Sequence, residues 1–219
     1  MKIIDPHVHL FDLNRGQYDW LKADNPPFWH DKPSINRNFS QADLDVGQVD
    51  QLAGFVHIEA GFDNDQPWRE IQWLEACVTK PLRTIAAVNL LDSPGDFAKK
   101  ISHLKEFKSV VGVRDILDER AVTLLSDPNV ITNLRLLGQQ QLIFETQMDG
   151  VDTPATKLLV NVLLDNPRLT LVLSHANFCP VNQSGKAQWL SNIKQLAKCP
   201  NLMIKASGWE MVKRNYELS

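Results

Sequence analysis

The sequence predicts an α/β fold in which parallel strands alternate with helices. Short runs rich in Val, Ile and Leu recur along the 219 residues, and most are continuous, as in strands covered on both faces. Helical patterns lie between them, with roughly 25–30 residues per strand–helix unit. Polar residues collect where the strands end, and no glycine-rich nucleotide loop follows any strand. Both features favour a TIM-type (β/α)8 barrel over an open doubly wound sheet.

Seven candidate strands follow one another along the chain. They are "KIIDPHVHL" from Lys2, "GFVHIEA" from Gly54, "IAAVNLL" from Ile85, "VVGVRDIL" from Val110, "QLIFETQ" from Gln141, "TLVLSHA" from Thr170 and "LMIKASG" from Leu202. No domain boundary or repeat is visible between them, so the sequence predicts one domain over residues 1–219.

Capping residues and apolar spacing predict the helices. Ser40 opens a pattern that carries Leu44, Val49 and Leu52 on one side. A second stripe, Trp68, Ile71 and Leu74, follows Asn64 and Asp65. Further helices are expected at Ser93-Pro94, Asp127-Pro128 and Thr153-Pro154, and from about Lys186. The segment between the first strand and Ser40, rich in Trp, Pro and Asn, is predicted to be a binding loop or lid.

Composition argues against several classes of function. A net charge of −3 offers no electrostatic basis for binding nucleic acid or a membrane surface. Three cysteines without CxxC spacing indicate a reducing compartment. No signal peptide or long apolar run is apparent, so a cytoplasmic protein with a small-molecule substrate is expected.

Two histidines near the N-terminus are the leading site candidates. Residues two apart on a strand point to the same face, so Asp5, His7 and His9 are expected to project together. His175 ends the sixth strand, and on the barrel interior it would converge on the pair. Three neutral imidazoles suit Zn²⁺ or a similar ion and leave a position for water. For His57 and His103, a structural role is expected instead.

Other polar residues at strand ends are candidates for substrate contacts. Glu59 and Glu145 can serve as ligand, base or substrate contact, and pairing with Lys or Arg is the alternative. Arg114 can clamp a substrate carboxylate, with an ion pair to Asp115 or Asp118 as its alternative. Trp20 can cover an organic substrate or pack on the barrel. Lys205 lies inside a strand, where an ammonium is costly unless it is paired.

Five segments together resemble the amidohydrolase-related metal-dependent hydrolases, in the branch of sugar lactonases and 2-pyrone-4,6-dicarboxylate lactonases. They are "DPHVHLFD" with "YDWL", then "GVRDIL", "LSHANFCP" and "NLMIKASG". The resemblance runs from about residue 3 to residue 210. It implies a barrel that hydrolyses small cyclic esters, with His7, His9 and His175 matching the family's histidines and Arg114 its arginine. Some members bind a divalent metal and others none; here zinc is the first expectation.

The sequence departs from the family pattern in one respect. The family continues with an eighth strand of the type "GSDWP", whose Asp ligates metal or activates water, and the 219 residues contain no such motif. An incomplete, seven-strand barrel with open edges is therefore expected, and such edges favour a homo-oligomer.

Two functions follow from these observations. The first is a hydrolase that opens a small lactone with activated water. The second is a non-catalytic barrel that acts as a ligand-binding or interaction module.

Overall fold

The strands and helices alternate along the chain as predicted. A computed structural model describes residues 1–44, 46–47 and 50–208. Its strands are β1 (Lys2–Val8), β2 (Gln51–Ile58), β3 (Leu82–Ala87), β4 (Val110–Arg114), β5 (Ile143–Thr146), β6 (Thr170–Leu173) and β7 (Leu202–Ile204). Its helices are α1 (Lys32–Ile35), α2 (Trp68–Cys77), α3 (Pro94–Leu104), α4 (Ala121–Leu125), α5 (Pro128–Gln139), α6 (Thr153–Asp165) and α7 (Gln183–Leu196). The α/β class is confirmed.

The chain divides into two compact units. Unit 1 holds residues 1–88 and 101–114, and unit 2 holds residues 89–100 and those from 115 on. In unit 1, β1 pairs with β2, β2 with β3 and β3 with β4, all parallel. In unit 2, β5 pairs with β6 and β6 with β7, again parallel. The prediction of a single domain over residues 1–219 stays a prediction.

An apolar core in unit 1 fixes the ends of β1 and β2. Val8 and Leu10 pack with Leu52 and Phe55 of β2 and with Leu74 of α2. Leu74 and Ile71 are fully buried, as the apolar stripe of this helix predicts. Burial of each such side chain contributes about 1.5–3 kcal/mol. This packing holds the chain at the end of β1, from Val8 to Leu10, in place.

The Trp-rich segment after β1 is packed rather than loose. Tyr18 and Leu21 are buried in a cluster with Phe11, Ala60 and Phe62. Nearby, the ammonium of Lys32 is buried and donates to the carbonyls of Lys22, Asn25 and Pro27 at 2.7, 2.6 and 3.3 Å. These bonds satisfy a charge that would otherwise be costly to bury, so the segment forms a fixed wall of unit 1.

The core of unit 2 is built from α5, α6, β5 and β6. Its buried side chains are three or four residues apart in each helix, and others come from the strands. They are Leu134, Leu137, Phe144, Leu159, Leu163, Leu171 and Leu173. The predicted helix starts hold here to within a residue. Asp127 caps α5 through the N–H groups of Asn129 and Val130, whereas α6 is capped by Asp152, one residue before the predicted Thr153.

The helix predicted from Ser40 is wrong beyond its first turn. Ser40 does form a capping box with Asp43, but only over the short 3₁₀ turn Gln41–Asp43. Gly47 then adopts a left-handed φ of 85°, which no helix contains, and Leu52 is buried in β2. Val49 lies outside the described residues. Burial of Leu52 against Phe55 and Leu74 outweighs the local helical pattern.

Exposed apolar side chains occur on the first and last strands. Ile4 of β1 is 69% exposed and Met203 of β7 is 61% exposed. The homo-oligomer expected from open strand edges stays a prediction. In the part of the chain described, no helix has both the length and the apolar character needed to cross a bilayer.

Candidate functional site

The imidazoles of His7 and His9 lie together at the end of β1. Their Nε2 atoms are 3.1 Å apart, and their ring centroids are 4.9 Å apart at an interplanar angle of 75°. The backbone N–H of His7 donates to Asp5 Oδ1 at 3.0 Å, which turns the carboxylate onto the main chain. The predicted pairing of the two rings is therefore observed, with Asp5 supporting the backbone beneath them.

A backbone carbonyl of β2 determines the tautomer of His9. His9 Nδ1 lies 2.9 Å from the carbonyl oxygen of Ile58, which can only accept, so Nδ1 carries the proton. In the neutral ring Nε2 then has a lone pair, and His7 Nε2–H donates to it. Such a carbonyl contact is the usual device that orients a metal-binding imidazole.

The electrostatic surroundings keep His9 neutral. Burial of the ring, and then the electrostatic effects of the neighbouring His7, Arg114 and His57 side chains, hold the pKa of His9 well below its usual 6.5, against the opposing effect of the Ile58 hydrogen bond. A neutral imidazole with a fixed lone pair can bind a cation or accept a proton.

We expect His9 to stay neutral as the pH of the folded protein falls through 6.5. The unfolded chain takes up this proton first, so the contribution of His9 to the free energy of unfolding decreases as pH falls below about 6.5. Long-range ¹H–¹⁵N spectra of the imidazoles between pH 7.5 and 5 measure the protonation of His9, with the urea-unfolded chain as control. A protonation midpoint for His9 at 6.5 or above would contradict the expectation.

Arg114 and Glu59 form an ion pair within unit 1. Arg114 Nη1 lies 2.9 Å from Glu59 Oε1, and the side chains are 7% and 13% exposed. β4 ends at Arg114 and Glu59 follows β2, so both stand at strand C-terminal ends. Glu59 therefore holds the guanidinium that lowers the pKa of His9. The alternative predicted for Glu59, pairing with a cation, is observed.

His57 and Glu70 form a second, fully buried pair. His57 Nε2 lies 3.0 Å from Glu70 Oε1, and the side chains are 0% and 2% exposed. Burial, opposed by the His57 hydrogen bond, raises the pKa of Glu70. Glu70 was missed by sequence reasoning, although it gave a signal: a charged residue next to Ile71 and four before Leu74, on the apolar stripe of α2.

His175 of unit 2 stands on a strained turn and not on a strand. β6 ends at Leu173, so the alternation predicted for Leu171, Leu173 and His175 stops two residues early. The φ angles of His175, Ala176, Asn177 and Phe178 are 55°, 46°, 52° and 51°. Left-handed conformations cost roughly 1–2 kcal/mol per non-glycine residue, and such strain concentrates at functional sites.

Residues that follow β7 hold this turn. His175 Nδ1 lies 3.0 Å from Ser207 Oγ, and the Ala176 N–H donates to the Lys205 carbonyl at 2.9 Å. Gly208 has a φ of 80°, and a Cβ there would come within 2.7 Å of His175 Cβ. The "KASG" segment therefore fixes the His175 ring, a role for Ser207 and Gly208 that sequence reasoning missed.

Glu145 is the acceptor of a buried cluster in unit 2. Its Oε1 accepts from Ser174 Oγ at 2.7 Å, and both carboxylate oxygens lie 2.7 Å from Lys205 Nζ. The side chains of Lys205 and Glu145 are 14% and 2% exposed. The cost of an ammonium beside a strand is thus offset by a bidentate partner. For Glu145 too, the predicted alternative of a cationic partner is observed.

Trp20 packs as part of a wall and also borders a cavity. Its Nε1 donates to the Ala60 carbonyl at 2.7 Å, and its ring stacks on Trp29. A cavity of about 310 Å³ lies beside it, lined by Gln17, Asp19, Trp20, Asn25, Pro26, Gly61 and Asn64. The packing alternative for Trp20 is observed, and a substrate contact stays a prediction.

Of the predicted site residues, unit 1 brings together His7, His9, Glu59 and Arg114. Trp20 lies in the same unit, whereas Glu145 and His175 belong to unit 2. The convergence of His175 on His7 and His9 stays a prediction.

The His7–His9 pair has the donor chemistry of a zinc site. Two nitrogen ligands of one Zn²⁺, each at about 2.0–2.1 Å, lie roughly 2.9–3.4 Å apart at angles between octahedral and tetrahedral. The observed 3.1 Å between the Nε2 atoms falls within that range, and His9 meets the requirement for a neutral ligand. Within the described ranges, no group of three or more His, Cys, Asp or Glu side chains is arranged to hold a metal.

The chain is similar to several known proteins in sequence and in fold. The chain is 26% identical over 226 residues to the uncharacterized protein y4mH of Sinorhizobium fredii, covering 98% of this chain and 75% of that one. A zinc-containing amidohydrolase from Burkholderia multivorans superposes with a TM-score of 0.67 at 16% identity, covering 94% and 69%. A Pseudomonas putida protein designated a 2-pyrone-4,6-dicarboxylic acid hydrolase gives 0.60 at 19%, covering 96% and 70%.

The structural likenesses confirm the predicted fold class, an incomplete TIM-type α/β barrel with seven strands in the described residues. The amidohydrolase family pattern matches residues 4–218, nearly the whole chain. The paired histidines at the end of β1 lie within that match. The chain belongs to the amidohydrolase family.

Proposed function

We propose that this protein is a hydrolase that opens a small acidic lactone with activated water, of the sugar-acid or aromatic-degradation type. The observation that carries the proposal is the His7–His9 pair, whose facing Nε2 atoms lie beside the Arg114 charge. Membership of the amidohydrolase family supports hydrolysis. The name of the P. putida relative, a hydrolase of a pyrone dicarboxylic acid, supports a lactone.

Ring opening involves three chemical changes that the protein can promote. Water adds to the lactone carbonyl carbon, negative charge develops on the carbonyl oxygen, and the ring C–O bond breaks as the ring oxygen takes up a proton. His7 Nε2–H is suited to donate to the carbonyl oxygen, because a preorganised donor stabilises the negative charge where it forms. The lone pair of His9 Nε2 is suited to accept the proton that the attacking water loses. The hydroxy acid that results carries one more carboxylate than the lactone.

A divalent metal, with zinc as first choice, would be held by His7 and His9. When bound, such an ion polarises a carbonyl and lowers the pKa of water to about 7. His9 presents a lone pair in either case, because the Ile58 carbonyl keeps the proton on Nδ1. The sequence also predicts His175 as a third donor, which stays a prediction.

Arg114 is assigned the orientation of an acidic substrate. A guanidinium binds carboxylates through parallel N–H donors, and Glu59 fixes one of its terminal nitrogens. An anionic substrate would also offset the positive charge that Arg114 presents to His9. Substrate contacts by Glu145 and Trp20, a cytoplasmic location and the lack of nucleic-acid or membrane partners stay predictions.

A panel of lactones tests the proposal. The zinc-loaded, manganese-loaded and metal-stripped proteins are assayed against sugar-acid lactones and pyrone carboxylates, by following proton release at constant pH. We expect turnover of an acidic lactone, with neutral lactones of the same ring size slower. Absence of turnover for every lactone in all three preparations would refute a lactone hydrolase, and binding without turnover would favour the non-catalytic ligand-binding module.

A further inference from the structure

We propose that His57 and Glu70 are positioning residues that set the orientation of His9. The proposal rests on the proposed function in so far as His9 is a site residue. Neither side chain is placed at the reacting atoms: both are fully buried, and His57 reaches the site through the main chain that follows His9.

The parallel ladder between β1 and β2 ends just where the site begins. Its last register pair is Val8 with His57, and a register shift separates that pair from Asp5 with Phe55. His9 and Leu10 therefore lie beyond the regular backbone pairing. Whatever orients the His9 ring must come from other hydrogen bonds.

Side chains take over where the ladder stops. The Leu10 N–H donates to His57 Nδ1 at 3.2 Å, and His57 Nε2–H donates to Glu70 Oε1 at 3.0 Å. The same Glu70 oxygen accepts from the Ala60 N–H at 3.1 Å. Glu70, on α2, thus ties the chain after β1 to the chain after β2.

These bonds bracket the contact that orients His9. The ring is bound to the Ile58 carbonyl, which lies between His57 and Ala60 in the chain. His57 holds the residue after His9, and Glu70 holds the residue two after Ile58. Both partners of the His9–Ile58 bond are therefore fixed by the same buried pair.

The buried His57–Glu70 pair stabilises the core less efficiently than apolar side chains would. A desolvated carboxylate and imidazole gain little over apolar side chains of the same volume. Because Nδ1 of His57 accepts, the ring has a single tautomer, and every hydrogen-bonding atom of the ring is used. The hydrogen bonds of the pair constrain the backbone at Leu10 and Ala60 on either side of the His9–Ile58 contact, which apolar packing alone would leave less defined.

Two readouts test the proposal, and one needs no metal. His57→Phe keeps a ring but removes the acceptor for Leu10. We expect the His9 Nδ1–H signal of the metal-free protein to exchange with solvent faster, and the dissociation constant for Co²⁺ to rise roughly tenfold, at the lower end of effects seen for residues outside the ligand sphere. His103→Phe, in α3, is the matched control and should change neither.

Variants of Glu70 keep the proposal testable if His57→Phe does not fold. Glu70→Gln retains an acceptor oxygen for His57 and Ala60, whereas Glu70→Met removes it. We expect the His9 Nδ1–H exchange of Glu70→Gln to match the unaltered protein and that of Glu70→Met to be faster. A folded His57→Phe or Glu70→Met protein with unchanged exchange would overturn the positioning role.

The two proposals fail in different ways. If the unaltered protein binds no Co²⁺ and opens no lactone, the proposed function falls, while the exchange of His9 Nδ1–H still decides what His57 and Glu70 do. If lactones are opened and the variants leave the His9 signal unchanged, only the positioning role falls.

Discussion

Replacing His9 by asparagine is expected to lower kcat/KM for lactone hydrolysis by roughly 100- to 1000-fold, within the usual contribution of a positioned side chain that accepts a proton in the transition state. Asparagine is shorter than histidine and cannot place a nitrogen lone pair opposite His7 Nε2, 3.1 Å away in the present geometry. It also leaves the Ile58 carbonyl without its imidazole donor. Steady-state kinetics, together with zinc content by elemental analysis, measure both consequences.

The control for this variant is His103→Asn, because His103 lies in α3 and is bound to the exposed Glu106. It should retain the kinetics of the unaltered protein. A His9→Asn protein with kcat/KM within a factor of three would remove His9 from the site.

Replacing Lys205 by methionine is expected to lower the free energy of unfolding by about 3 kcal/mol, because breaking a buried ion pair removes a close cation from a buried carboxylate. The carboxylate left behind, Glu145, is 2% exposed and has Lys205 Nζ at 2.7 Å from both oxygens. The Ser174 hydroxyl also donates to this carboxylate but carries no charge. Urea unfolding followed by circular dichroism measures the loss.

Two companion proteins separate this effect from a general loss of charge. Lys99→Met removes an 80% exposed lysine that pairs with Asp96 and should change stability by less than about 1 kcal/mol. The double change Lys205→Met with Glu145→Gln should recover much of the loss, since no buried charge remains. If Lys205→Met is as stable as Lys99→Met, the Lys205–Glu145 pair contributes no more to stability than an exposed ion pair.

The fold was largely predictable because its signals are local. Every predicted strand core and most helix starts are observed, since runs of Val, Ile and Leu and capping residues such as Asp127 act within a few residues. The helix from Ser40 was wrong because Leu52 has a partner far along the chain, Leu74, that local periodicity does not register. A conflict between a local pattern and distant burial was decided by burial.

The candidate site was predictable in part for the same reason. The spacing of His7 and His9 places both rings on one side, and no distant residue is needed to see it. The ion pair of Arg114 with Glu59 could not be predicted, because Glu59 is 55 residues away and Asp115 was the nearer candidate. Glu70 lies 13 residues from His57, and only the folded helix shows that its carboxylate meets the ring.

The sequence by itself determined the strand–helix alternation, the family and the identity of the paired histidines, because these follow from composition, spacing and motif. The tertiary structure decided which tautomer His9 adopts, which carboxylate holds Arg114 and why Lys205 can be buried. Each of these depends on hydrogen bonds between residues far apart in the chain. Such bonds have a direction and a distance only once the backbone has brought their donors and acceptors together.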